Sequence, residues 1–193
     1  MNTVQEPITG KEDQGLPWSH AAWLSRKRRA GTSVDMHIKF MAILKLSQAN
    51  TIIDAAIEEG RRMRLSPLAV AVLDSGGNLI AFKREDGAGF FRYDIAYGKA
   101  WGALGLGFGT RELVERSAKL PIFYAALSTA SQGRLIPSPG GVLITSVDGE
   151  VVGAVGISGD IGEHDESCAL AGIKAVGLSA IPGSKERGLD QAL

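Results

Sequence analysis

Arg84, Asp86 and Lys99 are where this chain places residue types that handle anions and protons. Arg84 and Asp86 close a strand-like run and lead into Gly87-Ala88-Gly89, the kind of loop on which functional side chains sit when a rigid scaffold holds it. A guanidinium receives a carboxylate through two parallel hydrogen bonds, so Arg84 suits the carboxylate of a small ligand or substrate. Asp86 suits a base; a structural ion pair or a turn bond accounts for the same two residues equally well. Lys99 lies among the small residues Ala96, Ala100 and Ala103 on one side of an expected helix. It is either a pocket cation or a lysine whose stem lies along apolar surface with its head in water.

A second group gathers near the C-terminus. Glu163, Asp165 and Glu166 stand at the start of an expected helix, where the helix dipole favours negative charge. The functional alternative is acid–base work, with Glu166 as a candidate base, or a hard cation held by carboxylate oxygens. His164 sits inside this cluster and is the only histidine after residue 40. With Glu163, Asp165 and Glu166 it forms a candidate metal-ligating set. His164, Tyr93, Tyr97 and Met63 are further residue types with donor atoms for a cofactor, each with an ordinary packing role as its alternative.

These residues need elements to position them. Ala49, Ile52, Ile53, Ala56 and Ile57 recur at helical spacing behind Ser47, a potential cap, and Pro67 ends the segment. Leu68 to Leu73 is a buried-strand run, Asp74 to Asn78 is turn chemistry, and Leu79 to Lys83 returns, giving an antiparallel hairpin. A helix follows over roughly Phe90–Leu104, then two shorter ones near Thr110–Ala118 and Pro121–Ser131, with Thr110 as a capped start and Pro121 in a first turn. Val142–Ser146 and Val151–Ser158 form a second hairpin across Asp148-Gly149. Gly153 and Gly156 within the last strand imply a backbone closely approached by a ligand or a packed helix. A helix over Glu163–Ser179 closes the pattern, with Cys168, Ala169, Gly172, Ile173 and Val176 as its apolar stripe. Helix, hairpin, helices, hairpin, helix is an α+β order, not a doubly wound parallel sheet.

Composition narrows the classes. The 193 residues suit one domain and a tail, and the 45% hydrophobic content supports a core. A net charge of +0 with both signs mixed gives no basis for nucleic-acid binding. No apolar run reaches the roughly 18 residues of a membrane span, and the first twenty residues lack the apolar stretch of a signal peptide. The single cysteine excludes an internal disulfide framework, reads as core, and fits the cytoplasm. Residues 1–40 lack periodicity and read as an N-terminal extension ahead of a domain over residues 41–193. Trp18 and Trp23 in that extension are apolar enough to pack on a neighbouring subunit. Several chemistries lack their patterns: Gly105-x-Gly107-x-Gly109 follows a helix rather than a strand, Ser128 and Ser131 have no His/Asp partners, and zinc spacing is missing.

Five segments together resemble the GlcG/HbpS family. Asp74-Ser75-Gly76-Gly77-Asn78 with Leu79 to Phe82 and Arg84 to Ala88 resembles its first signature. Lys99-Ala100 matches a helix lysine and alanine of that family, and Pro137 to Val142 its P-x-P-G-G turn. Gly149 to Gly159 matches its closing strand and Asp165 to Ile173 its last helix; His164 departs from the glutamine-like residue usual there. The resemblance implies a profilin-like fold, a central antiparallel sheet of about five strands flanked by helices, and assembly into homo-oligomers. It also implies binding of haem or a related small molecule. The alternative is a catabolic enzyme, a hydrolase or isomerase acting on a small carboxylated or ring-cleavage substrate. There Arg84 and Lys99 would hold the anion and Asp86 or Glu166 would act as base.

Overall fold

A computed structural model describes residues 44–182; the expected extension over residues 1–40, with Trp18 and Trp23, lies outside them. Helix α1 (Leu46–Arg62) forms because Ala49, Ile52, Ile53 and Ala56 fall on one face and are all buried. It starts earlier than a Ser47 cap would place it. Lys45 is the N-cap residue, and its N–H donates to Gln48 Oε1 at 3.1 Å, satisfying a donor that the helix leaves free.

Strands β1 (Ala69–Asp74) and β2 (Leu79–Arg84) make the first hairpin. Its turn is held by Asp74 Oδ1, which accepts from the N–H groups of Gly76 and Asn78 at 2.9 Å each. Three helices follow: α2 (Arg92–Leu106), α3 (Thr110–Lys119) and α4 (Pro121–Ala130). Strands β3 (Gly141–Thr145) and β4 (Val151–Ser158) form the second hairpin, followed by α5 (Gly162–Ala175) and β5 (Ser179–Ile181). The sheet order is β2-β1-β4-β3-β5 with every neighbouring pair antiparallel, the profilin-like α+β arrangement expected from the sequence.

Two local expectations are corrected. The last helix stops at Ala175, because Gly177 takes a left-handed φ of 69° and turns the chain back. Ser179 therefore lies in β5, paired with Thr145 of β3, rather than in the helix. Thr110 does not cap its own helix: its Oγ1 accepts from Gly141 N–H at 2.8 Å and ties the start of α3 to β3.

Both faces of the sheet are covered, which is why β1 reads as an unbroken apolar run. Val70, Val72, Val155 and Ile157 pack with α1 and α5, while Ala69, Ala71, Leu73 and Ala154 pack with α2. The second layer is thin, because Ala96, Ala100 and Ala103 let α2 settle directly on the strands. Of the two explanations for Gly156, the packed helix is the one present. A Cβ there would land on the Ala96 carbonyl oxygen and lie 2.7 Å from Ala100 N. Among the described residues no helix is long and apolar enough to cross a membrane.

Gly156→Ala should therefore cost about 3 kcal/mol in urea unfolding, at the upper end for overpacking. Gly105→Ala, where a Cβ meets nothing within 4 Å, should leave stability unchanged or improve it. Equal effects at the two positions would contradict this packing.

Candidate functional site

The end of the sheet where β4 runs into α5 is organised around two buried charges. Lys99 of α2 and Asp165 of α5 are 2% and 1% exposed, with Lys99 Nζ 2.7 Å from Asp165 Oδ2. The second carboxylate oxygen of Asp165 accepts from Asp160 N–H at 3.1 Å. Gly140, in the turn before β3, closes over the pair with a φ of 112°. A Cβ there would come within 2.8 Å of Asp165 Cβ and 3.1 Å of Lys99 Nζ. Burial pushes the Lys99 ammonium below its ordinary pKa and the Asp165 carboxyl above its own, while the attraction between the two opposes both shifts. Desolvation is the larger influence on each, so the pair fixes geometry more than it adds stability.

Around this pair each polar side chain has a specific partner. Arg111 of α3 grips Glu166, with Nε at 2.9 Å and Nη2 at 2.8 Å from Oε1, and its Nη1 lies 3.9 Å from Glu163. Asp160 accepts from Ile161 N–H at 2.9 Å and Ser66 N–H at 3.1 Å, and its Oδ1 lies 2.9 Å from His164 Nδ1. Those hydrogen bonds, the Ile161 amide first, hold Asp160 well below the usual carboxylate range. An anionic oxygen facing Nδ1 assigns the ring proton to that nitrogen and leaves the Nε2 lone pair for a ligand.

The open side of the site is basic and aromatic. Arg92 Nη1 donates to Ser158 Oγ at 3.2 Å. Ala69 pairs with Arg84 on one side and with Ser158 on the other, so all three share the sheet face covered by α2. Two strand spacings put the Arg84 and Ser158 backbones about 10 Å apart. Arg84 is exposed and has no carboxylate partner among the described residues. Phe90 and Phe91, immediately before Arg92, are 82% and 60% exposed. Tyr93 stacks edge-on against Phe82 at 4.9 Å and lies 5.9 Å from Tyr97.

The structure thus brings Lys99 and Asp165 together and gives the charge of Lys99 to that carboxylate. Glu166 and Glu163 turn to Arg111, and His164 to Asp160. The four residues read as a metal-ligating set divide among three partners, Arg111, Lys99 and Asp160, and among the described residues no three His, Cys, Asp or Glu side chains converge as a cation site. Asp86 is exposed at the end of the hairpin and forms no ion pair with Arg84. Glu85 between them does the structural work instead: its Oε2 accepts from Leu68 N–H at 2.7 Å and Arg61 Nη2 at 2.9 Å. Tyr97 donates its hydroxyl to Gly77 O at 3.2 Å, and Met63 packs against the core. Cys168 is buried, and desolvation pushes its thiol up to about 12.

Arg92, Arg111, Ser158 and Asp160 were not singled out in the sequence. A usable signal existed for one of them, since Arg92 follows two consecutive phenylalanines that the helix pattern does not bury.

Residues 44–174 match the family model described as haem degrading protein HbpS-like. The protein GlcG of Escherichia coli strain K12 is 34% identical over 121 residues, covering 63% of this chain and 85% of GlcG. The crystal structure of a PduOC:haem complex superposes with a TM-score of 0.65 at 26% identity, covering 73% of this chain and 99% of that one. The crystal structure of HbpS gives 0.60 at 29% identity, covering 72% and 93%.

Lys99→Met leaves Asp165 buried without its counter-ion and should cost about 3–5 kcal/mol in urea unfolding. Adding Asp165→Asn, which keeps an acceptor for Asp160 N–H, should recover at least half of that loss. Losses that simply add would show that the two charges are not coupled.

Proposed function

The chain belongs to the HbpS-like family, and from that premise we propose that it is a small-molecule-binding protein, with haem as the candidate ligand, that works as a homo-oligomer. The observation that carries this reading is the open rim at the sheet end. Arg84 and Ser158 flank Ala69 there, Arg92 is bonded to Ser158, and the exposed Phe90 and Phe91 immediately precede Arg92 in the chain. Haem is a wide apolar plane bearing two carboxylates, and its iron takes a nitrogen, sulfur or oxygen donor. The residues present fit those demands. Two guanidinium groups would receive propionates, exposed aromatic rings would cover the plane, and His164, its ring held by Asp160, would offer Nε2 to the iron. Tyr93 is the second residue that would reach the iron as a ligand. Bound haem would supply the iron chemistry; the protein supplies binding, orientation and exclusion of water.

The haem named in the PduOC complex and in the family description supports this reading. Self-association is supported by α4, whose Ile122 is 87% exposed and whose Phe123 lies beside it, also exposed. The free, buried Cys168 suits a reducing compartment such as the cytoplasm. A second reading keeps the same rim for catalysis on a small carboxylated substrate, with Arg84 holding the anion and Asp86 as base. Their shared exposure favours it, whereas Glu166 is engaged by Arg111.

Titration of the full chain with haem should give a saturable Soret band. His164→Ala should change its position, and Arg84→Ala and Arg92→Ala should each weaken binding about tenfold, near 1.4 kcal/mol. Haem spectra that never saturate, or variants that titrate as the parent does, would overturn the proposal. Light scattering should give a mass of at least two chains.

A further inference from the structure

We propose that the hollow beside Trp101, at the far end of α2, is a separate site for a small aromatic carboxylate. The hollow has a volume of about 210 Å³ and is walled by Trp101, Gly105 and Leu106 on one side and Leu127 and Leu135 on the other. Ser131 also lines it, but its hydroxyl is already used: it donates to Ser128 O at 3.0 Å and accepts from Leu135 N–H at 3.3 Å. What remains is an apolar wall. Cavities of about 150 Å³ lined by aliphatic and aromatic side chains stay dry and take up benzene. This one holds a single substituted ring and is far too small for a porphyrin.

Gly105 keeps the hollow open. A Cβ at that position meets nothing within 4 Å, so the space in front of it is unfilled. Glycine inside a helix costs about 1 kcal/mol relative to alanine, and nothing in the packing of α2 demands it here. A second hollow of about 170 Å³ shares Trp101 and Gly105 and runs to the Ser75–Gly77 turn, so a ring substituent has room to extend.

The charge preference comes from Arg134. Its guanidinium lies 4.4 Å from the centre of the Trp101 ring, and its Nε donates to Ser131 O at 3.1 Å. Among the described residues no carboxylate pairs with it and its remaining N–H groups have no hydrogen-bond partner, and it lies over the same Trp101 ring that walls the hollow. A ring lodged against Trp101 and a carboxylate on Arg134 satisfy both features with one molecule. Gly105 and Arg92 are separated by roughly 20 Å along the helix axis, so this site and the haem rim are distinct.

The test uses the full chain and three probes: benzoate, benzyl alcohol (ring without charge) and acetate (charge without ring). Calorimetry should show saturable benzoate binding, at least tenfold weaker binding of benzyl alcohol, and none of acetate. Gly105→Leu, which fills the hollow, should abolish benzoate binding while its melting temperature holds or rises. Arg134→Gln should weaken benzoate at least tenfold and leave benzyl alcohol unchanged; Arg134 is exposed, so this variant remains informative even if Gly105→Leu fails to fold. Haem titration should be the same in parent and variants, which separates failure here from failure of the haem reading. Absence of saturable benzoate binding would overturn the proposal, as would an Arg134→Gln variant that binds benzoate as the parent does. Variants that change the mass in light scattering but not benzoate binding would assign the hollow to a second copy of the chain, and that too would overturn it.

Discussion

Two charges taken out of water at the end of a sheet have to find each other, because an unpaired ion in that position costs several kcal/mol. Lys99 and Asp165 meet that condition from helices on opposite faces of the sheet. Their contact fixes the start of α5 against the middle of α2. The turn through Gly140 can close over them only because glycine tolerates its backbone there and leaves space where a side chain would collide. The positions of Asp160, His164 and Arg111 follow from that junction, since each is on α5, just before it, or bonded to it. The pair thus acts as a foundation for the site, while the groups that face outward are others.

Those outward groups depend on how closely α2 lies to the sheet. Ala96 and Ala100 opposite Gly156 remove nearly all side-chain thickness between helix and strand. The N-terminal end of α2 is thereby held against the first residue of β1 and the last residues of β2 and β4, which brings Arg92 to Ser158 and sets Arg84 on the same face. A thicker layer would lift Arg92 away from the strand ends. Stability and site geometry therefore share one cause here, the small residues along a single helix face.

Much of the architecture was legible because it rests on strong local signals. β4 spans Val151–Ser158 as its pattern indicates, and both hairpins are marked by turn residues whose bonds are present. β5 was not legible, since three residues are too few to show a period of two, and its sequence continues the apolar pattern of the preceding helix. For the site, Lys99 and the acidic cluster were visible as residue types, but their pairing was not. Asp165 reads with Glu163 and Glu166 as one acidic cluster, although it leads the buried stripe Cys168, Ala169 and Gly172 at helical spacing. Lys99 likewise lies on the face of Ala96, Ala100 and Ala103. Opposite charges set singly on two apolar stripes were the available sign of a buried ion pair. Arg84 ends β2 and Asp86 lies in the loop after it, while the ladder-end role there belongs to Glu85, whose two bonds are to residues far along the chain.

The central claim is that this junction presents a ligand-binding rim at the sheet end. A crystal structure of the protein with haem bound tests it most directly. The account places the propionates on Arg84 and Arg92, the porphyrin plane against Phe90 and Phe91, and the iron within bonding distance of His164 Nε2. Haem held elsewhere, with both arginines and His164 left in solvent, would contradict it.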